Sequence, residues 1–267
     1  ELQFWEVHTN AEVQNFFFAA NAKVAELLKD DSVLEKEKDT AKKDTAKKDD
    51  IDALLGEEAD STKVQKNLFT YLFPNVAQSQ QQLSSLVAQA RVLDTATVND
   101  LLSKKEVRAL LSNELKYAKF LWDYKSNKSA DGTNELIGLY AIKGNRKDQA
   151  TIEGDVILDA GQVFDQLNKP EVSMTMNSSG TKQWAKMTAD NVGNFVAVVL
   201  DDYVYTAPSV NQAITGGRTS ISGGTMTVAE AEDIATVLKA GKLPAAARMI
   251  QAQVVGPSLG KEAIDAS

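Results

Sequence analysis

The sequence predicts an α+β fold, a mainly antiparallel sheet with helices packed on it, joined to an inserted, mainly helical region. One observation behind this is the run 193–244, where two apolar strand candidates, two diglycine corners and a well-marked helix follow one another. Another is the alternation of Val172, Met174 and Met176 with Ser173 and Thr175, the period-two pattern of a half-buried strand. From there the order reads strand, helix, hairpin, corner strand, helix, strand, and helices segregated over a mainly antiparallel sheet are the economical packing of such an order.

Residues 2–7 are rich in strand formers and read as a strand, with His8, the only histidine, at its end. A lone histidine reads as a structural residue. Over 11–28, Val13, Phe16, Phe17, Ala20, Val24, Leu27 and Leu28 recur at helical spacing, with Asn10 as the candidate cap. Residues 29–50 are a polyampholyte with a tandem DTAKK repeat and, apart from its alanines, only Val33 and Leu34 as apolar residues. It is expected to be a solvated helix held by i,i+4 ion pairs, or a mobile stretch. Helices are expected over 61–72, 76–91 and 97–111, with Pro74 between the first two. Over 115–124 a strand or a last helical turn fits, and the aromatic residues favour the strand; 127–134 is a loop by composition. Together these make 11–134 a mainly helical insertion.

Residues 136–143 read as a strand. Asp159 with Gln162 has the form of a capping box, which predicts a helix over 161–167 ended by Asn168-Lys169-Pro170. After the strand 172–176, Ser178-Ser179-Gly180 caps a helix through Asp190, with Trp184 and Met187 on one face. Residues 195–200 fit a strand buried on both faces or a short core helix, and their length favours the strand. Asp201-Asp202 then makes a two-residue turn into a second strand, 203–206, which Pro208 ends. Gly216-Gly217 and Gly223-Gly224 bracket a short strand, 218–222. Thr227 and Glu230 form a capping box, Ala231, Ile234, Ala235 and Leu238 make an apolar face, Gly241 sits at the C-terminal cap and Pro244 stops the helix.

A formal net charge of −8, without clustered Lys and Arg, argues against nucleic acid as a partner. The absence of Cys removes disulfides and thiolate metal sites. No stretch approaches the ~18 consecutive apolar residues of a membrane helix, and no signal peptide or initiating Met opens the chain. Zinc-protease, Walker, serine-elbow and EF-hand motifs are missing, and no Lys-Ser/Thr follows the diglycines, so these read as corners and not as a phosphate loop. The carboxylate pairs Asp201/Asp202 and Glu232/Asp233 read as solvated. No catalytic activity, metal or cofactor is expected. Phe195, Tyr203, Tyr205 and Met226 are the candidates for a soft apolar surface able to contact unfolded chains, since Met and Tyr offer apolar area without strict shape demands.

The fragments VAVVLDDYVYTAPSV, ITGG, ISGG, TVAEAEDIATVLKAGKLPA and VVGPSLG, in this order, resemble the first periplasmic domain of SecD and fused SecDF proteins, accessory subunits of the bacterial Sec translocon. The likeness covers the second half of the chain well, residues 2–6 weakly, and the region between them poorly; Asp202 stands where the family usually has Gly. The resemblance implies a head core over 135–245, a base strand remnant over 1–10 that pairs with 248–255, and over 246–267, with Gly256 and Pro257, a return to the base and the approach to a membrane helix absent here. It implies a soluble piece of a multi-pass inner-membrane protein, facing the periplasm. In that family the intact protein captures preprotein emerging from SecYEG and moves it outward by proton-motive-force-driven swings, with SecF and YidC-like partners. Membrane contact would run only through segments absent here. Leu243, Pro244 and Ala245 are the hinge candidates. The alternative is a docking module for translocon partners that never touches the substrate.

Overall fold

The computed structural model describes residues 1–40, 66–79, 82–129, 132–222 and 226–241, with the helical backbone alone over 30–40. β1 (Leu2–His8) buries Leu2 and Phe4 on one face and Trp5 and Val7 on the other. A strand apolar on both faces needs cover on both. It pairs antiparallel with β9 (Phe195–Leu200) from Leu2↔Leu200 to Val7↔Phe195. Its other edge is shared by β6 (Ile152–Glu153), through Gln3 and Phe4, and by β5 (Glu135–Ile142), through Val7↔Ile142 and His8↔Ala141.

β9 turns into β10 (Tyr203–Thr206), β10 lies parallel to β4 (Lys119–Lys128), and β4 pairs antiparallel with β5. The circuit β1, β9, β10, β4, β5 therefore closes on itself as a small barrel. Trp5, Val7, Ile142, Ala197, Val199 and Val204 fill its interior. Past β5 the sheet continues through β3 (Leu86–Arg91) to β2 (Leu72–Pro74).

Two layers cover the outside of the barrel. On one flank α1 (Asn10–Thr40) lays Val13, Phe16, Phe17, Ala20 and Val24 over Ala88, Ala90, Trp122 and Leu139, together with α2 (Thr95–Ser103) and α3 (Lys105–Arg108). The Phe16 and Phe17 rings lie 5.6 and 5.8 Å from that of Phe120. On the other flank a second antiparallel sheet, in the order β11 (Arg218–Ser222), β8 (Pro170–Met176), β7 (Ile157–Phe164), packs with α4 (Ser178–Asp190) and α5 (Val228–Gly241) against Leu2, Phe4, Val196 and Val198.

Several expectations change. Residues 157–164 are the strand β7, not a helix behind a capping box at Asp159: each residue from Asp159 to Phe164 pairs with β8, and that long ladder outweighs a local cap signal. The helix expected over 76–91 is loop followed by β3, and Leu72 lies in a strand, because both segments complete the large sheet. The helix over 97–111 is broken at Lys104, whose ψ is 136°. The inserted region is therefore not built of helices alone: α1, α2 and α3 make up the larger share of its described helix and strand, and β2, β3 and β4 come from it as well. The cap of α4 is Asn177, whose side chain accepts from the Gly180 N–H. Residues 41–65 and 248–255 lie outside the described residues, and with them the later part of the polyampholyte, 41–50, and the expected partner of β1; up to Thr40 the polyampholyte continues α1.

Asn10 does not cap α1. Thr9 and Glu12 do so reciprocally, with the Thr9 N–H donating to Glu12 Oε2 at 2.8 Å and the Glu12 N–H to Thr9 Oγ1 at 3.3 Å. Buried Asn10 instead ties the helix start to the loop before β3, donating to the Gln82 carbonyl and accepting from the Ser84 N–H. His8, 6% exposed, sets Nδ1 3.1 Å from Glu12 Oε2. That contact, with the Thr9 N–H bond, holds the Glu12 carboxyl at about 2, well below its ordinary 4.5.

A folded-state value below the unfolded one gives stability that is complete above the ordinary value and lost as pH falls towards about 2. Glu12→Gln keeps the capping geometry and removes the charge. We expect it to lower stability at neutral pH, with the difference from wild type closing as pH falls to about 2, read from urea unfolding across pH. A second expectation concerns the seat of α5. A Cβ on Gly154 would stand 2.6 Å from the Gly241 carbonyl oxygen and 2.8 Å from Leu2 Cβ, so Gly154→Ala should cost about 1–3 kcal/mol. Gly161→Ala, with nothing within 4 Å, should stay within about 0.5 kcal/mol in the same denaturation series.

Candidate functional site

The β9–β10 hairpin sets the site. Asp201 and Asp202 adopt φ of 50° and 64°, the left-handed pair that a tight two-residue hairpin requires, so Asp202 performs the turn without glycine. The period of two then buries Val204 in the barrel and turns Tyr203 and Tyr205 outward. Tyr203 is 51% exposed. Tyr205 stacks on Tyr124 of the parallel neighbour β4, with ring centroids 4.3 Å apart at 11°.

Across from this stack stands the start of α5. The capping box is present as expected, with the Thr227 N–H donating to Glu230 Oε2 at 3.0 Å and the Glu230 N–H to Thr227 Oγ1 at 3.2 Å. Lys125 Nζ reaches Glu230 Oε1 at 3.1 Å and so links β4 to α5. The Thr227 N–H, and after it Lys125, hold the Glu230 carboxyl below its usual range. Between them lies a groove of about 210 Å³ lined by Tyr124, Tyr205, Met226, Glu230 and Ile234. At its margin burial pushes the Asp123 carboxyl up, and the Tyr140 O–H donates to it at 3.3 Å; burial also pushes the Tyr140 hydroxyl up, so it remains the donor.

Of the predicted contact residues, Tyr205 and Met226 share this groove, Tyr203 lies exposed on the same strand, and Phe195 is turned the other way, against the barrel interior. Pro208 ends the hairpin, its carbonyl accepting from the Val196 N–H. Gly217, at φ 69°, abuts the Thr181 side chain and leaves no room for a Cβ, whereas Gly216 has open space. Gly223, Gly224, Leu243, Pro244, Ala245, Gly256 and Pro257 lie outside the described residues.

A second depression has no counterpart in the sequence reading. It measures about 370 Å³, with Trp184, Val196, Val198, Ile214 and Ile221 among its lining residues, and lies between β11 and residues 208–212. The Trp184 ring meets Phe4 edge-on at 5.4 Å, while its Nε1–H is buried without an acceptor among the described residues. Helical periodicity alone assigns Trp184 to a core face, and only the tertiary arrangement reveals the cleft beside it. Among the described residues no cluster of His, Asp or Glu could hold a metal ion, and no helix is long and apolar enough to cross a membrane.

Fold and surface define an α+β domain, a closed barrel flanked by a helix-backed second sheet, with the groove at Tyr205 and the cleft at Trp184 among the depressions on its outside. The family model for the SecDF P1 head subdomain matches residues 140–245. Over 215 residues the chain is 43% identical to protein translocase subunit SecD of Rhodothermus marinus, which covers 80% of this chain and 32% of that protein. It is 44% identical over 115 residues to protein translocase subunit SecDF of Thermus thermophilus, covering 43% of this chain and 16% of the relative. A solved structure of SecDF, described as a membrane component that enhances protein export, matches at 43% identity with a TM-score of 0.31, over 38% of this chain and 46% of that one. Residues 140–245 carry a P1 head subdomain of the SecD/SecDF type, and the chain as a whole is similar to protein translocase subunits SecD and SecDF. It spans about a third of the length of the Rhodothermus relative.

The ring stack at the groove should be measurable by itself. A double-mutant cycle with Tyr124→Ala and Tyr205→Ala, followed by urea unfolding, should return a coupling of about 0.5–1.5 kcal/mol, the range of offset aromatic pairs.

Proposed function

We propose that this domain is the periplasmic head of a protein-export accessory subunit and that it works by binding, not catalysis: it holds stretches of unfolded preprotein as they leave the SecYEG channel. The observation that carries the reading is the outward tyrosine pair of β10, with Tyr203 half exposed and Tyr205 forming one wall of a groove whose other wall carries Met226. Tyr and Met contribute apolar area with few shape demands, which suits a ligand of varying sequence. In the full-length protein, release of the held chain would draw on the proton-motive force through membrane segments, with SecF and YidC-like proteins as neighbours.

The test is fluorescence anisotropy of a labelled, unfolded secretory-protein segment titrated with this domain, with the same protein folded as control. Saturable binding to the unfolded form alone is expected. The double variant Tyr203→Ser, Tyr205→Ser should weaken it by about tenfold or more, since buried tyrosines at interfaces commonly contribute more than about 1 kcal/mol. Absence of binding at high domain concentration would reject capture and favour a docking role towards other translocon components.

A further inference from the structure

The open edge of β11 borders the larger cleft, and its geometry goes beyond the tyrosine groove. In the ladder between β11 and β8 the Met176 N–H donates to the Gly217 carbonyl at 2.8 Å. Antiparallel pairs alternate between hydrogen-bonded and non-hydrogen-bonded. With the register Arg218↔Thr175 to Ser222↔Glu171, Thr219 and Ile221 thus aim their main-chain groups at β8. Arg218, Ser220 and Ser222 aim theirs away from the sheet. All three are exposed, and no other strand pairs with β11 among the described residues. Edges of this kind are templates for a further strand, and proteins that do not use them blunt them with inward charges, bulges or cover. β11 has a regular register to β8 and no bulge.

Immediately beside that edge lies the 370 Å³ cleft, with all five residues of β11 along it and Trp184, Val196, Val198 and Ile214 among its other lining residues. Its volume falls within the range of about 300–1,000 Å³ usual for ligand pockets. The Trp184 indole N–H, in a residue only 6% exposed, has no acceptor among the described residues, and buried donors in native proteins are rarely left so. An edge with outward donors and acceptors, a cleft along it of mixed apolar and polar lining with Trp184, Val196, Val198 and Ile214 as its apolar part, and a lone buried donor together point to one ligand chemistry. It is an extended main chain, with apolar side chains at alternate positions and a carbonyl for the indole.

We propose that β11 accepts an extended polypeptide segment as an added strand, paired to the main-chain groups of Arg218, Ser220 and Ser222, with every second side chain in the Trp184 cleft. Recognition by main-chain hydrogen bonds is independent of sequence, and alternate pockets add only a preference for apolar residues. This rests on the reading that polypeptide is the ligand, and it adds a second receptor surface with its own chemistry.

The experiment uses a short fluorescein-labelled peptide alternating Val and Thr, and the same peptide N-methylated at every residue, each titrated into the wild-type domain. The methylated peptide keeps the side chains and loses the donors, so its affinity should fall on the order of tenfold. Ser220→Pro removes one outward N–H at an edge position that tolerates proline; it should weaken the unmethylated peptide by a similar factor with the circular dichroism unchanged. Trp184→Phe should weaken it several-fold. Equal affinity for both peptides in wild type overturns strand addition while leaving polypeptide capture standing. No affinity for either peptide, or for the unfolded secretory segment, overturns both.

Discussion

The structure depends on β1 having hydrogen-bonded partners on both edges. Its seven residues bury side chains on both faces, so it can lie neither at a sheet edge nor with one face in water. β9 takes one edge along its whole length, and β6 and β5 divide the other. The β5 contact closes the barrel and gives Trp5 and Val7 an interior; the face with Leu2 and Phe4 then becomes the floor on which α4, α5 and the second sheet assemble. Because Leu2 lies opposite Leu200, this pairing ties the start of the chain to a strand almost two hundred residues later, and every element between them has to be compatible with it.

That dependence explains what the sequence could and could not reveal. Elements whose signal is local were legible: the Asp201-Asp202 turn, the Thr227–Glu230 capping box, the alternating strand at Val172 to Met176 and the corner at Gly217 all occur where their chemistry placed them. Elements defined by distant partners were not. β7 carries a helix-like cap pattern at Asp159 and Gln162, yet it is held by a ladder to β8, and β3 is a strand because β2 and β5 bracket it. Barrel closure has no local signature at all. The outward tyrosines of β10 could be named from period two alone, whereas Tyr124, the ring partner of Tyr205, comes from β4, about eighty residues earlier, by a parallel pairing that no spacing reveals.

The parallel β4–β10 contact also explains why a groove lies there. Parallel neighbours cannot be joined by a tight turn, so the chain between β4 and β10 makes a long excursion that includes most of the second sheet and α4. The β4–β10 boundary is thus the seam between the layer of α1 to α3 and the layer of α5. Besides the strand pairing itself, the Tyr124–Tyr205 stack and the Lys125–Glu230 pair cross it. Exposed ion pairs contribute little once screened by water and salt, so the β4–β10 ladder sets the spacing of the seam, the ring stack packs over it and the ion pair mainly orients the start of α5.

Both depressions derive from one hairpin. Val196 and Val198 of β9 line the cleft, and Tyr205 of β10 lines the groove, while the intervening residues Ala197, Val199 and Val204 are locked in the barrel. A shift of either strand outward would unpack that interior, and close-packed cores resist such displacement. Both depressions are therefore preformed, and in the proposed binding of an unfolded chain the ordering cost would fall on the ligand. That cost lowers affinity for a given contact area and shortens residence, so a rigid barrel facing a flexible chain yields contacts that form readily and let go. A receptor that must pass a chain onward needs this combination more than it needs tight binding.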